Sequence, residues 1–429
     1  MNIIIALIIF SGIILFHELG HFLLAKGNGI VVTEFSLGMG PRIFSFTKGE
    51  TRYSLKVFPF GGSCAMLGED GEEMCEGAFN TKSVWARMSV VAAGPIFNFI
   101  FAFVAAAIIL AVMGYDPAEV YYVEEGSPAY EAGLREGDLI TSFQGENVDI
   151  ARDILLYESL NGIEIGEEIR MTVERDNKEE AIAFTPEVYT RYMLGFTGVA
   201  EGDKILITNI VAGYPMSESR VQDGDYLTSI NGHYFENFDD WQAYLDEYPL
   251  DGSDVTFTYE RSGLEYEETL IPRESTGLNT GYAYNTGRVK TSPLGVLKYS
   301  FIEVKYWIAT TLQSLSMLIT GQFGVQDLSG PIGVVDVIGD TYEEVKDEGA
   351  VIVMMNMLNL MILLSANLGV MNLLPIPALD GGRLVFLIIE AIRGKSFDRE
   401  KEGMVHFVGI VILMALMVFV MYQDIMRLF

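Results

Sequence analysis

The chain has 429 residues, half of them hydrophobic, and a mean hydropathy of +0.29. Soluble globular domains rarely average so apolar, so part of the chain is expected in lipid. The net charge is −30, and the stretch from Tyr115 to Ser275 alone holds 36 Asp and Glu against 10 Lys and Arg, which excludes the basic footprint of nucleic-acid binding.

Asn2 to Ala25 reads NIIIALIIFSGIILFHELGHFLLA. It exceeds the ~20 residues that cross a ~30 Å hydrocarbon layer. It lacks the basic start and small-residue cleavage site of a signal peptide, so a retained transmembrane helix is expected. His17, Glu18 and His21 sit in its second half. Ionisable residues inside a span are costly and point to function.

From Ile30 to Gly62 short alternating runs, Phe44-Ser45-Phe46 and Tyr53 to Val57, flank Lys48-Gly49-Glu50. Period-two alternation about a Gly turn predicts a β-hairpin. Between two spans, such a hairpin must lie against protein or at the membrane interface. Ser89 to Gly114 is a second predicted span, containing Ala93-Gly94-Pro95 and Asn98. Lys82 and Arg87 precede it, which places the first loop on the cytoplasmic side. The N-terminus and the acidic block are then extracytoplasmic.

The acidic block contains a repeat. Gly126-Ser127-Pro128 recurs as Gly213-Tyr214-Pro215, and Gly137-Asp138-Leu139-Ile140 as Gly224-Asp225-Tyr226-Leu227. One offset shared by two separate motifs predicts two copies of one small domain. Each copy resembles a PDZ domain, the second more loosely, since Ser219-Arg220 stands where the first has Ala132-Gly133. That resemblance implies capture of extended peptide ligands at a sheet edge. Gly295 to Gly321 is helical in pattern, but Lys298, Glu303 and Lys305 suit an interfacial or docking helix better than a span. Ser329-Gly330-Pro331 follows. Ala350 to Leu374 is a third predicted span, and Met404 to Tyr422 a fourth, the latter preceded by Arg393, Lys395, Arg399 and Lys401. Cys64 and Cys75 have no partner motif and are expected to be free thiols.

The expected architecture is therefore a polytopic α-helical membrane protein of about four transmembrane helices, with a membrane-associated β-hairpin and two inserted PDZ-like β-rich domains. Its parts are an N-terminal membrane region over 1–114, PDZ-like domains over 115–199 and 200–275, an interfacial helix and linker over 276–349, and a C-terminal membrane region over 350–429.

His17-Glu18-Leu19-Gly20-His21 is an H-E-x-x-H motif. Residues four apart share one face of a helix, so both imidazoles can reach a single ion, with Glu18 beside them to activate water. Catalytic zinc takes three protein ligands and leaves one position open. His233 and His406 are candidates for the third. A better one is Asp380, in the stretch from Asn372 to Gly382, where Pro375 and Pro377 break the helix. Broken helix at membrane depth is tolerated where backbone is buried or lines a wet cavity.

Taken together, His17-Glu18-x-x-His21, Ala93-Gly94-Pro95 with Asn98, the paired copies, Ser329-Gly330-Pro331 and Asn372 to Gly381 resemble the site-2 protease family. These are intramembrane zinc metalloproteases, and the likeness is to the bacterial members that cleave anti-sigma factors and signal-peptide remnants. The resemblance runs nearly the whole chain in the same order. It implies Zn²⁺ held by His17, His21 and Asp380, Glu18 as general base, and Asn367, Asn372 and Pro375 as substrate-positioning residues. It also implies single-span membrane proteins as substrates, clamped as an added strand by the hairpin around Lys48-Gly49-Glu50. The protein would span a bacterial inner membrane many times, with its active site toward the cytoplasm. Two other readings are a non-catalytic PDZ scaffold and a zinc transporter. The transporter is disfavoured because the strong ligands cluster at one depth.

Overall fold

The structure, a computed structural model, describes residues 2–69, 75–322, 324, 328–395 and 397–427. It divides into two compact units, Met1–Pro117 with Thr286–Phe429, and Ala118–Asn285.

The first unit opens with α1 (Asn2–Gly27), apolar on all faces until His17. The next strands, β1 (Val32–Lys48) and β2 (Thr51–Met66), turn at Gly49-Glu50 as the alternation predicts. Their pairing goes beyond a simple hairpin. Phe44 to Lys48 pair with Thr51 to Leu55, but Phe35 has partners on both sides, Tyr53 and Cys64. Both strands thus fold over on themselves, and the front of β1 becomes interior. Among the described residues, Gly62 to Met66 pair only with that front segment, which leaves them at an edge. Glu34 ties the layers together. It accepts from Arg42 Nε at 2.7 Å and Ser54 Oγ at 2.6 Å, with Lys56 Nζ 3.6 Å away.

After the sheet comes α2 (Val84–Met113), whose N-cap Ser83 accepts from Ala86 N–H. Pro95 lies inside this helix, where its missing N–H leaves one backbone carbonyl unbonded within the helix. Small buried residues, Ala102, Ala105 and Ala106, line the α2 face that meets later helices.

The second unit is built twice over. In chain order its first part is β3 (Val120–Val123), α3 (Pro128–Glu131), β4 (Leu139–Phe143), β5 (Glu146–Asn147), α4 (Ala151–Asn161), β6 (Ile169–Arg175), β7 (Lys178–Phe184) and β8 (Glu187–Met193). Next come β9 (Thr197–Glu201), β10 (Lys204–Thr208), β11 (Tyr226–Ile230), β12 (His233–Tyr234), α5 (Phe238–Glu247), β13 (Val255–Arg261), β14 (Leu264–Leu270), β15 (Arg273–Asn279) and β16 (Tyr282–Tyr284). The sheet β5-β4-β6-β7 matches β12, β11, β13 and β14 strand for strand.

The repeated Gly-Asp motif has a physical cause. Asp138, fully buried, accepts two bonds from Arg175 at 2.6 Å each and one from Arg135 N–H at 2.9 Å. Asp225 does the same with Arg261 at 2.7 Å twice and with Gln222 N–H at 2.8 Å. A buried carboxylate must be paired, and each copy uses the arginine at the end of its third strand.

The copies are nested. In the second, β9 precedes β10 and pairs with it; in the first, the strand paired with β3 is β16, which arrives only after the whole second copy. The antiparallel ribbon of β8 and β15 leads out and back. Tyr282–Tyr284 therefore completes the first copy, although the sequence reading assigned it to the linker of 276–349. Three residues carry no usable period, so only pairing could reveal it.

The chain returns to the first unit with α6 (Pro293–Thr320), capped by Ser292 and closed by Gly321. It continues with α7 (Pro331–Val345), α8 (Ala350–Leu373), α9 (Asp380–Arg393) and α10 (Arg399–Arg427). Among the described residues, four helices are long and apolar enough to cross a membrane: Ile3–Gly27, Val84–Met113, Ala350–Leu373 and Glu400–Met426. They coincide with the four expected spans. Val304, Trp307 and Ile308 of α6 pack on α2 and α8. Gly330 and Gly333 N–H, at the start of α7, both donate to the buried Asp424 carboxylate of α10, at 3.0 and 2.9 Å. That bond accounts for the Ser329-Gly330-Pro331 motif, because a helix start inside a membrane protein needs an acceptor for its orphan N–H groups.

Candidate metal centre

Helical spacing puts His17 and His21 on the face of α1 that meets α2. The third group comes from the far end of the chain. Pro375 stops α8, and the turn through Ile376, Pro377 and Ala378 leads to Asp380, the first residue of α9. The turn is tight enough that a Cβ on Gly381 would lie 2.1 Å from Leu374 O. The start of α9, where the helix dipole favours an anion, carries the carboxylate.

His17 Nε2 lies 3.2 Å from His21 Nε2 and 3.2 Å from Asp380 Oδ2, and His21 Nε2 lies 3.4 Å from that same oxygen. Zinc binds nitrogen and oxygen ligands tetrahedrally at about 2.0–2.2 Å, so ligand atoms stand about 3.3–3.6 Å apart. The three atoms observed are spaced as three corners of such a tetrahedron. Asp380 Oδ2 is also buried with no hydrogen-bond partner among the described residues. Two imidazoles and an orphaned carboxylate oxygen make a donor set suited to zinc.

Neighbouring groups orient the imidazoles. His21 Nδ1 bonds Val90 O at 2.9 Å, which turns its Nε2 toward the cluster. The α1–α2 crossing depends on glycine. A Cβ on Gly94 would lie 2.3 Å from His21 Nε2, and one on Gly20 would lie 2.4 Å from Ala93 O. Glu18 reaches the backbone of Cys64, and a Cβ on Gly62 would lie 2.9 Å from its Cγ. The part of the sheet beside Glu18 is therefore the Gly62–Cys64 edge, not the Lys48-Gly49-Glu50 turn.

The remaining expected positions fall as follows. Asn372 is half-buried in the last turn of α8, and Pro375 is exposed just beyond it. Asn367 is turned toward α6, where its side-chain oxygen accepts from Thr311 at 2.5 Å. His406 holds the breaker turn: its Nδ1 accepts from Ala378 N–H at 2.9 Å. His233 lies in the Ala118–Asn285 unit and stacks on Tyr244. Val90 escaped sequence reasoning, because a backbone carbonyl leaves no chemical signature; Gly94 stood out within Ala93-Gly94-Pro95, but its role beside the imidazoles shows only in the packing. Both cysteines are free, Cys64 buried and Cys75 exposed.

The profile described as peptidase family M50 matches residues 5–416. A protein named regulator of sigma-W protease RasP, from Bacillus subtilis (strain 168), is 35% identical over 100% of this chain and 99% of its own. Zinc metalloprotease RasP of Geobacillus kaustophilus (strain HTA426) is 32% identical over 100% of this chain and 98% of its own. A solved PDZ domain of HtrA3, bound to a phage-derived ligand, aligns at 15% identity over 21% of this chain and 93% of that one, with a TM-score of 0.18.

Proposed function

The chain belongs to peptidase family M50, the site-2 proteases, and from that membership we propose roles for its residues. It is a zinc-dependent intramembrane endopeptidase and a bacterial membrane protein. We assign His17, His21 and Asp380 as the zinc ligands and Glu18 as the general base. The observation that carries this assignment is the spacing of 3.2 to 3.4 Å among the three ligand atoms.

Bound there, zinc supplies Lewis-acid polarisation of the scissile carbonyl and of the attacking water. Glu18 takes the water's proton and passes it to the leaving nitrogen. The backbone of Cys64 and the close packing of Gly62 hold Glu18 in place. A transmembrane helix resists cleavage because its carbonyls are bonded within the helix. Strand addition along Gly62 to Ala65 would unwind it and replace those bonds. Asn372 and Pro375, at the end of α8, position the extended substrate; Asn367 contributes through its bond to Thr311.

The substrates are single-span membrane proteins, with anti-sigma factors and signal-peptide remnants as the physiological class. The active site faces the cytoplasm, and the Ala118–Asn285 unit is extracytoplasmic. Its two copies are PDZ domains. Supporting this, β9 is an edge strand, and a cleft of about 230 Å³ beside it is lined by Leu194, Phe196, Trp241 and Leu245. An extended peptide could add there.

The deciding experiment reconstitutes the purified protein with a labelled single-span peptide. Wild type should cleave it, and a chelator should stop cleavage. Glu18→Gln should keep zinc but lose cleavage by about 10²-fold or more, since an amide cannot accept the proton. Wild-type turnover by Glu18→Gln would sink the mechanism.

A further inference from the structure

Residues four apart on a helix share a face, and α2 presents Val90, Gly94 and Asn98 to α1 in this way. Each meets an imidazole. Val90 O bonds His21 Nδ1 at 2.9 Å. Gly94 leaves room for both rings, since its Cβ would lie 2.3 Å from His21 Nε2 and 2.7 Å from His17 Cε1. Asn98, fully buried, brings its side-chain amide within 3.2 Å of His17 Nδ1.

The orientation of that amide decides its role. With Nδ2 toward His17, the Asn98 Oδ1 atom is buried and has no hydrogen-bond partner among the described residues. An NH₂ donor facing Nδ1 would also force the ring proton onto Nε2, the atom aimed at His21 and Asp380. A half-turn of the amide exchanges two nearly isosteric groups, and the nitrogen that His17 must leave free for a metal selects between them. With Oδ1 toward the ring, the oxygen accepts from Nδ1–H, Nε2 keeps its lone pair for a metal, and Nδ2 takes the buried position that Oδ1 held. The Asn98 backbone is fixed independently: its carbonyl accepts from Ser365 Oγ at 2.8 Å.

We propose that Asn98 is a positioning residue for His17, accepting from Nδ1–H through Oδ1, so that one face of α2 sets the tautomer of both histidines. The proposal rests on His17 and His21 being metal ligands. Its chemistry is that of ligating histidines in general, whose second nitrogen donates to an outer acceptor.

The test is zinc affinity of the full-length protein, measured by chelator competition, with the visible spectrum of the Co²⁺-substituted protein as a second readout. Asn98→Leu keeps the shape but removes the acceptor, and should weaken zinc binding about 10- to 100-fold and alter the Co²⁺ spectrum. Asn98→Asp retains an acceptor and cannot donate when ionised; it should bind zinc at least as tightly as wild type. His17→Ala serves as the control for the ligand assignment. If His17→Ala loses zinc while Asn98→Leu binds within twofold of wild type, the proposal is overturned and the ligand reading survives. If Asn98→Leu does not fold, Asn98→Asp decides alone: a tenfold loss overturns the proposal, and retained affinity supports it. If His17→Ala itself keeps zinc, the ligand reading fails and the proposal falls with it.

Discussion

His406 on α10 accepts a hydrogen bond through Nδ1 from the backbone N–H of Ala378, and so anchors the turn that delivers Asp380. Ala378 stands at φ 83°, a left-handed conformation unusual for alanine. The His406 bond helps hold it there. His406→Ala would remove the acceptor of a part-buried N–H, at a cost of about 0.5–1.5 kcal/mol. The expected outcome is a lower melting temperature in detergent and faster zinc release to a chelator. Ala378→Gly should be tolerated, because glycine adopts positive φ freely, whereas Ala378→Val should lower the melting temperature.

If His17, His21 and Asp380 hold the zinc as proposed, Asp380→Ala leaves two protein ligands. Zinc content after purification should fall sharply, and activity with it, because catalytic zinc sites rely on three. Metal analysis of the variant checks this. Full occupancy at ordinary affinity would move the third-ligand role to another residue. His406 would be a weak successor, since its Nδ1 is already committed to Ala378.

The folded-over sheet should weaken in acid. The Arg42 hydrogen bond, with help from Ser54 and Lys56 and against the cost of burial, holds the Glu34 carboxyl at about 2, below its ordinary 4.5. A depressed carboxyl stabilises the fold fully above its unfolded value, and the stabilisation fades as pH falls through the folded one. Protection of the β1 and β2 amides from hydrogen exchange should therefore drop between pH 4.5 and about 2. Glu34→Gln should lack that protection at neutral pH and show little further loss on acidification. A wild-type profile in the variant would refute the role of Glu34.

The nested copies can act as a steric filter or as a recruiter. Within the unit Met1–Pro117 with Thr286–Phe429, the outgoing and returning segments meet at a neck, where Tyr115 and Val289 exchange backbone bonds at 3.0 and 2.7 Å. Replacing the unit by a short Gly linker at that neck should preserve zinc loading. If the unit filters, cleavage of a substrate with a bulky extracytoplasmic domain should rise while a trimmed one is unchanged. If it recruits, both should fall. Its charge should disfavour acidic substrate tails at low salt, an effect confined to a Debye length of ~10 Å at 0.1 M. An equal loss for both substrates in a folded, zinc-loaded truncation rules the filter out.

Much of this was legible in the sequence because it is local. Apolar runs of sufficient length, the i, i+4 spacing of His17 and His21, and the two prolines that break the chain before Asp380 each write a pattern into consecutive residues. The duplication was visible because Asp138 and Asp225 each need an arginine partner, which kept the motif readable at a fixed offset. What only the tertiary structure decided has no local period. Tyr282–Tyr284 belongs to β3 through pairing across an entire inserted copy. The edge beside Glu18 is Gly62 to Cys64 because β1 folds back between two parts of β2. Val90 serves His21 through a backbone carbonyl, which every residue possesses and no sequence can flag. Side-chain periodicity reports which face of an element is buried; which other element covers that face is settled by contacts between distant segments, and those exist only once the chain has folded.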